Sequence, residues 1–206
     1  MMRDKFQTEI EKRIESFDPR YAFSAVDFSD MAGTDPINKS LSRLCEAGTI
    51  RRILKGIYDK PSYSEFLGEY LPPNIEKVVE AIARKYNWTV APSGEIALNK
   101  LHLSTQVPVN YSYVSDGPYR KYKIGNYLVE FKHCANKEIS GKSFITIIVI
   151  QAIKSIGKDR IQPKDISILS DLLPEEEKKK ILREAMTTTP WIYGVIKEVC
   201  KSDNYC

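Results

Sequence analysis

Only two histidines and four cysteines occur among 206 residues, and no two cysteines form a C-x-x-C pair. That leaves little for a tetrahedral zinc site or a disulfide framework, so Cys45, Cys134, Cys200 and Cys206 are read as reduced thiols and no metal or other cofactor is expected. Long apolar runs are missing too. The longest, Phe144 to Ile150 with Thr146 inside it, is seven residues, against the roughly 20 that a membrane-spanning helix needs. The N-terminal stretch mixes both charge signs from Arg3 onward and lacks the apolar segment and small-residue cleavage site of a secretory signal. A cytoplasmic protein without a membrane partner is the expectation. Nor does one sign of charge dominate: 31 Lys and Arg against 27 Asp and Glu leave +4, so where the charge lies must decide whether a polyanion is met.

What is present reads as an ordinary globular chain, 42% hydrophobic and 28% charged, long enough for one substantial domain or two small ones. Phe6, Ile10 and Ile14 recur every four residues among Glu, Lys and Arg, which predicts an amphipathic helix over about 3 to 16, ended by Asp18-Pro19. Ser24 is placed to cap a short second helix carrying Ala25, Val26, Phe28 and Met31. Asp35-Pro36 reads as an N-cap and first helical position of a third, whose Ile37, Leu41, Leu44 and Cys45 form one apolar stripe. Asn38, Lys39, Ser42 and Arg43 are left on its outer face. After Gly48, TIRRILKGIYDKP reads as a two-stranded hairpin turning at Lys55-Gly56. Three short helices and a basic hairpin within about 60 residues outline a winged helix-turn-helix.

Charge supports that outline locally. Residues 1–68 hold 11 basic and 11 acidic side chains, yet from Lys39 to Lys60 six cations (Lys39, Arg43, Arg51, Arg52, Lys55, Lys60) face only Glu46 and Asp59. Polar side chains on an outward helix face, flanked by Arg and Lys, are what base-edge readout and phosphate attraction require. A small helical domain with a solvated basic face is the alternative.

Leu71-Pro72-Pro73-Asn74 breaks the pattern and sets a boundary between a DNA-binding domain, 1–68, and a second domain, 69–206. There the spacing predicts helices at 75–86 and after Ser93-Gly94, then Tyr- and Val-rich strands at 107–114, 119–124 and 127–133 forming an antiparallel β-meander. Phe144–Gly157 keeps helical spacing and reads as a buried helix, Pro174-Glu175-Glu176-Glu177 and Pro190 as starts of C-terminal helices. The fold class is α+β.

Catalytic signals are thin. Ser140-Gly141-Lys142-Ser143 suggests a phosphate-binding loop, but the glycine required five positions before Gly141 is Asn136. Glu130-Phe131-Lys132 on a strand, with Asp116 upstream, matches the acid, acid-x-lysine pattern of one Mg²⁺-dependent nuclease class; on an antiparallel strand the same residues are commonly an ion-paired solvent face. His102 and His133 assemble with no nucleophile. The chain is read as a non-enzyme. Arg120, Lys121, Lys123, Lys132, Lys137 and Lys142 against Glu130 and Glu138 form a second basic patch, suited to an acidic protein or to phosphates.

Phe28, LSRLCEAGTIRRILKGIYDKP, PSGEIALNKLHLSTQVP, YVSDG, VEFK and QAIKSIG together resemble the AbiEi-type antitoxin family of type IV toxin–antitoxin systems, over about residues 20–160. The resemblance implies an N-terminal winged helix that binds inverted repeats in its own promoter as an autorepressor, and a C-terminal domain that counters a nucleotidyltransferase-like toxin. Carried over, Asn38, Lys39, Ser42 and Arg43 enter the major groove while Arg51, Arg52 and Lys55 grip phosphate. Dimerisation on DNA suits symmetric half-sites. The alternatives are a DNA-binding protein whose second domain is a nuclease around Asp116, Glu130 and Lys132, and a plain transcription factor with no toxin partner.

Overall fold

The computed structural model describes residues 2–201 and is of the α+β class. Its residues group into two compact units, one running to Trp88 and including Ile124–Asn126, the other made of Thr89–Lys123 and the chain from Tyr127. The expected division at 68/69 is thereby moved: the helix over 75–86 belongs to the first unit, where it packs on residues of that unit's sheet. The proline-rich 71–73 stretch lies inside the first unit as an irregular connection. Among the described residues no helix is long and apolar enough to cross a membrane.

In the first unit, α1 (Met2–Glu15) leads to β1 (Ala22–Phe23), a 3-10 turn (Ala25–Phe28), α2 (Thr34–Glu46) and the hairpin β2 (Arg51–Leu54) and β3 (Ile57–Asp59). A small hairpin, β4 (Tyr63–Ser64) and β5 (Glu69–Tyr70), precedes α3 (Ile75–Tyr86). The main sheet has the antiparallel order β1-β3-β2. Ile10, Ile14, Phe23, Phe28, Ile37, Leu41, Leu44 and Ile50 close around Tyr58 as the core, so the four-residue spacings of α1 and α2 do mark their buried faces. Ser24 caps as expected: its hydroxyl accepts from Val26 N while Asp27 accepts from Ser24 N at 2.8 Å, a reciprocal box that satisfies two helix-start donors. The segment is a single 3-10 turn, shorter than the helix the spacing predicts.

The second unit contains β6 (Val90–Pro92), α4 (Glu95–Lys100), β7 (Asn110–Ser115), β8 (Arg120–Ile124) except its last residue, and β9 (Tyr127–His133). Then come α5 (Asn136–Ile139), α6 (Phe144–Ile156), α7 (Pro163–Leu172), α8 (Glu175–Glu184) and α9 (Pro190–Val199). The strands do not form the expected meander. Their order is β6-β7-β9-β8, with β7 pairing β9 in parallel from Asn110↔Leu128 to Ser115↔His133. Burial explains the swap. β9 carries the fully buried Val129 and Phe131, and Phe131 stacks on Tyr113 of β7 at 5.9 Å, so it takes an inner position. β8, with exposed Arg120, Lys121 and Lys123, takes the edge, where charge discourages pairing with another chain. As the spacing predicts, α6 is a buried helix: Thr146 to Ile153 are buried without a break, and α4, α7, α8 and α9 supply its apolar partners.

Candidate nucleic-acid interface

The first unit presents an open groove of about 440 Å³. One wall is α2. The helix begins two residues earlier than expected, with Gly33 rather than Asp35 as N-cap, so that Asp35 sits in the first turn and Pro36 follows inside it. A proline is tolerated there because the first four helical N–H groups have no intrahelical partner. Burial of Ile37, Leu41 and Leu44 turns the opposite face outward, and Thr34, Asn38 and Ser42, four residues apart, form the row that lines the groove. Lys39 and Arg43 are exposed on the neighbouring row of the same helix, outside the groove lining.

The other wall is the hairpin. Its turn residue Gly56 has φ +72°, a conformation in which a side chain is strained, and a β-carbon there would lie 2.8 Å from Lys85 Nζ. Arg52 and Lys55 of the hairpin line the groove, as does Lys85 at the end of α3. Lys85 Nζ donates to the Lys55 carbonyl at 2.8 Å, tying the hairpin tip to α3. Next to it in sequence, Arg84 donates to Asp27 Oδ1 at 2.6 Å and to the Ala22 carbonyl at 2.8 Å, with its guanidinium over the Tyr21 ring. Two adjacent cations of α3 thus hold the 3-10 turn and the hairpin in place beside α2.

Seven side chains are expected at a DNA surface. The structure brings Asn38, Ser42, Arg52 and Lys55 together, sets Lys39 and Arg43 on the adjoining exposed row, and ties Arg51 into the fold. The Arg51 Nε and Nη2 donate to Asp59 at 3.0 and 2.6 Å, and its Nη1 donates to the Leu71 carbonyl at 2.9 Å. Asp59 is fully buried. Arg51 and Asp59 are direct cross-strand partners in the hairpin, so pairing satisfies a carboxylate that would otherwise sit buried and uncompensated. Lys60 is also structural, donating to the carbonyls of Glu15 and Phe17 behind α1. Two of the six cations between residues 39 and 60 therefore serve the fold. Sequence reasoning missed Thr34, legible as the position four before Asn38, and Lys85, which carried only the generic signal of a basic helix end.

The carboxylates of the nuclease alternative are engaged separately. Asp116 Oδ1 accepts from Thr89 N at 2.9 Å. Glu130 accepts from the Tyr119 hydroxyl and pairs with Lys121 at 3.2 Å and Lys132 at 3.4 Å. The Tyr119 bond, joined by those of the lysines, holds the Glu130 carboxyl below its ordinary range. Among the described residues no group of three or more His, Cys, Asp or Glu is placed to hold a metal ion. The loop at 140–143 does precede a helix, but the chain fills the helix start itself: Glu184 accepts from Ser143 N at 2.8 Å, Ser143 Oγ at 2.7 Å and Thr146 Oγ1 at 2.6 Å. His133 Nδ1 contacts the Gly117 carbonyl at 3.0 Å, and His102 is an exposed residue at φ +57°.

Comparison with known proteins places the chain in one family. The profile described as "Family of unknown function (DUF6088)" matches residues 9–181, and the chain belongs to that family. No curated protein matches it.

Proposed function

We propose that the protein is a DNA-binding transcriptional autorepressor whose first unit is a winged helix, and that it acts as an antitoxin against a nucleotidyltransferase-like toxin. The observation that carries the DNA-binding reading is the division of labour across the groove: neutral hydrogen-bonding side chains (Thr34, Asn38, Ser42) on the helix wall, cations (Arg52, Lys55, Lys85) on the other. A helix row of this kind suits base edges, while a cationic hairpin beside it suits phosphates. The order helix, strand, short helix, helix, hairpin, with the sheet arranged β1-β3-β2, supports the winged-helix assignment. The antitoxin role rests on the family resemblance of residues 20–160.

The test is retardation of the protein's own promoter fragment across a salt series. Arg52→Ala with Lys55→Ala weakens binding to every sequence and lowers the salt slope by about 2, one for each phosphate that is no longer neutralised. Asn38→Ala instead relaxes sequence preference at about 1–3 kcal/mol per base pair read. Unchanged retardation by both variants removes the reading. Co-expression with a neighbouring nucleotidyltransferase-like gene product tests neutralisation: rescue of growth supports the antitoxin role, and a regulator without that neighbour supports the plain transcription factor.

A further inference from the structure

A second basic surface belongs to the four-stranded sheet of the second unit. Residues 119–133 hold four cations, Arg120, Lys121, Lys123 and Lys132, and one carboxylate, Glu130. That carboxylate is shared, lying 3.2 Å from Lys121 and 3.4 Å from Lys132. Arg120 and Lys123 are exposed and pair with no carboxylate among the described residues. The next acids along the chain are engaged elsewhere: Asp116 accepts from Thr89 N beside β6, at the opposite edge of the sheet from β8, and Glu138 pairs with Lys154. Three positive charges are therefore in excess on this surface. The two pairs to Glu130 are half exposed, weak, and readily exchanged for a stronger anion.

The surface is an open sheet face. Alternation along β9 puts Leu128, Glu130 and Lys132 on one side and the buried Val129 and Phe131 on the other. Because Lys121 and the Tyr119 hydroxyl both reach Glu130, they share its side, and Lys123 follows Lys121 by alternation. Helices cover that side toward β6, where Ala91 and Val114 pack with Cys134, Ile139 and Ile147. Beyond that cover, Tyr119, Lys121, Lys123, Leu128 and Lys132 stand in solvent. Tyr119 is nevertheless fixed: its hydroxyl donates to Glu130 and Lys121 Nζ lies 5.5 Å from its ring centroid, while the residue stays 54% exposed. Lys121 and Lys123 are spaced about 6.7 Å apart along the strand. A fixed aromatic ring beside a row of cations supplies both elements by which proteins hold an unpaired strand, a face for a base to stack on and charge to track the backbone. A duplex hides its base faces, and an acidic protein would engage the lysines and leave the ring unused.

We propose that this sheet face binds single-stranded nucleic acid, with a base stacked on Tyr119 and phosphates held by Arg120, Lys121, Lys123 and Lys132. The test is fluorescence anisotropy of labelled oligothymidylate and oligouridylate, about 20 nucleotides long, with the full chain over a salt series. Binding of either oligomer that saturates by about 100 μM supports the proposal, and the tighter of the two names the sugar. Tyr119→Ala, with an unaltered circular dichroism spectrum, weakens binding about tenfold, whereas Tyr119→Phe, which keeps the ring and loses only the bond to Glu130, stays within about twofold. Arg120→Ala with Lys123→Ala lowers the salt slope by about 1.4. The Arg52→Ala, Lys55→Ala variant, impaired at the promoter, still binds the oligomers, which separates this site from the regulatory reading. Labelled oligoglutamate of the same length, the probe for an acidic protein, binds at least about tenfold more weakly. Absence of saturation, wild-type binding by Tyr119→Ala, equal loss in Tyr119→Phe and Tyr119→Ala, loss of binding in the Arg52→Ala, Lys55→Ala variant, or oligoglutamate bound as tightly as the oligomers each overturns the proposal.

Discussion

Removing the Arg51 guanidinium separates structure from recognition at the hairpin. Arg51→Ala leaves the Asp59 carboxylate, fully buried, without its two cationic hydrogen bonds, and frees the Leu71 carbonyl as well. Breaking a buried pair by deleting one partner costs about 3–5 kcal/mol. Arg51 keeps 29% of its side-chain surface exposed, so water screens part of the pair and the lower end, about 3 kcal/mol, is expected. Against a typical total of about 5–15 kcal/mol that is a large loss. Urea denaturation followed by circular dichroism measures it as a fall in midpoint at unchanged slope. The variant Arg51→Met with Asp59→Leu, which removes both charges, costs less than Arg51→Ala alone, because no polar group is then stranded. Below its midpoint, Arg51→Ala retards DNA with the wild-type salt slope, whereas Arg52→Ala unfolds normally and loses about one unit of slope. If Arg51→Ala were as stable as wild type and lost slope as Arg52→Ala does, Arg51 would be a phosphate ligand and the clamp would contribute nothing to the fold.

Three further outcomes follow from other parts of the chain. Burial alone would raise the Glu184 carboxyl, but hydrogen bonds from Thr146 and Ser143 bring it below its ordinary value; its stabilisation is complete above the unfolded-state value of about 4.3 and lost as pH falls through the lower folded value. Glu184→Gln flattens that acid limb of a stability-against-pH curve, and Glu184→Ala costs about 1–3 kcal/mol at pH 7 by stranding the α6 start. Burial, with the neighbouring Glu138, pushes the Cys134 thiol up to about 11, so at pH 8 only on the order of 0.1% is thiolate; iodoacetamide leaves the Cys134 peptide unmodified in the native chain and modifies it in urea, as read by mass spectrometry. Gly56→Ala forces a side chain into a φ of +72° against Lys85 Nζ, and a loss of about 1 kcal/mol or more in urea denaturation, together with weaker promoter retardation, is expected.

Local periodicity determined a good deal of this protein. The apolar intervals of α1 and α2, the Ser24 cap, the Lys55-Gly56 turn and the buried run of α6 all depend on residues close together in the chain, so composition and spacing suffice to read them. They also turned Asn38 and Ser42 outward, since a helix that buries Ile37, Leu41 and Leu44 has no other face left for them. Only the tertiary structure decided what each cation does. Arg51 and Arg52 are adjacent and chemically alike, and it is the cross-strand partner of the first, a buried aspartate, that makes one a clamp and leaves the other facing the groove. Lys85 joins that groove from a helix some thirty residues beyond the hairpin turn, a pairing with no local signature. The same holds for the sheet: pattern placed strands β7, β8 and β9 nearly where they lie, but alternation along a strand says nothing about which neighbour it takes, and the buried packing of Tyr113 on Phe131 settled that order in space.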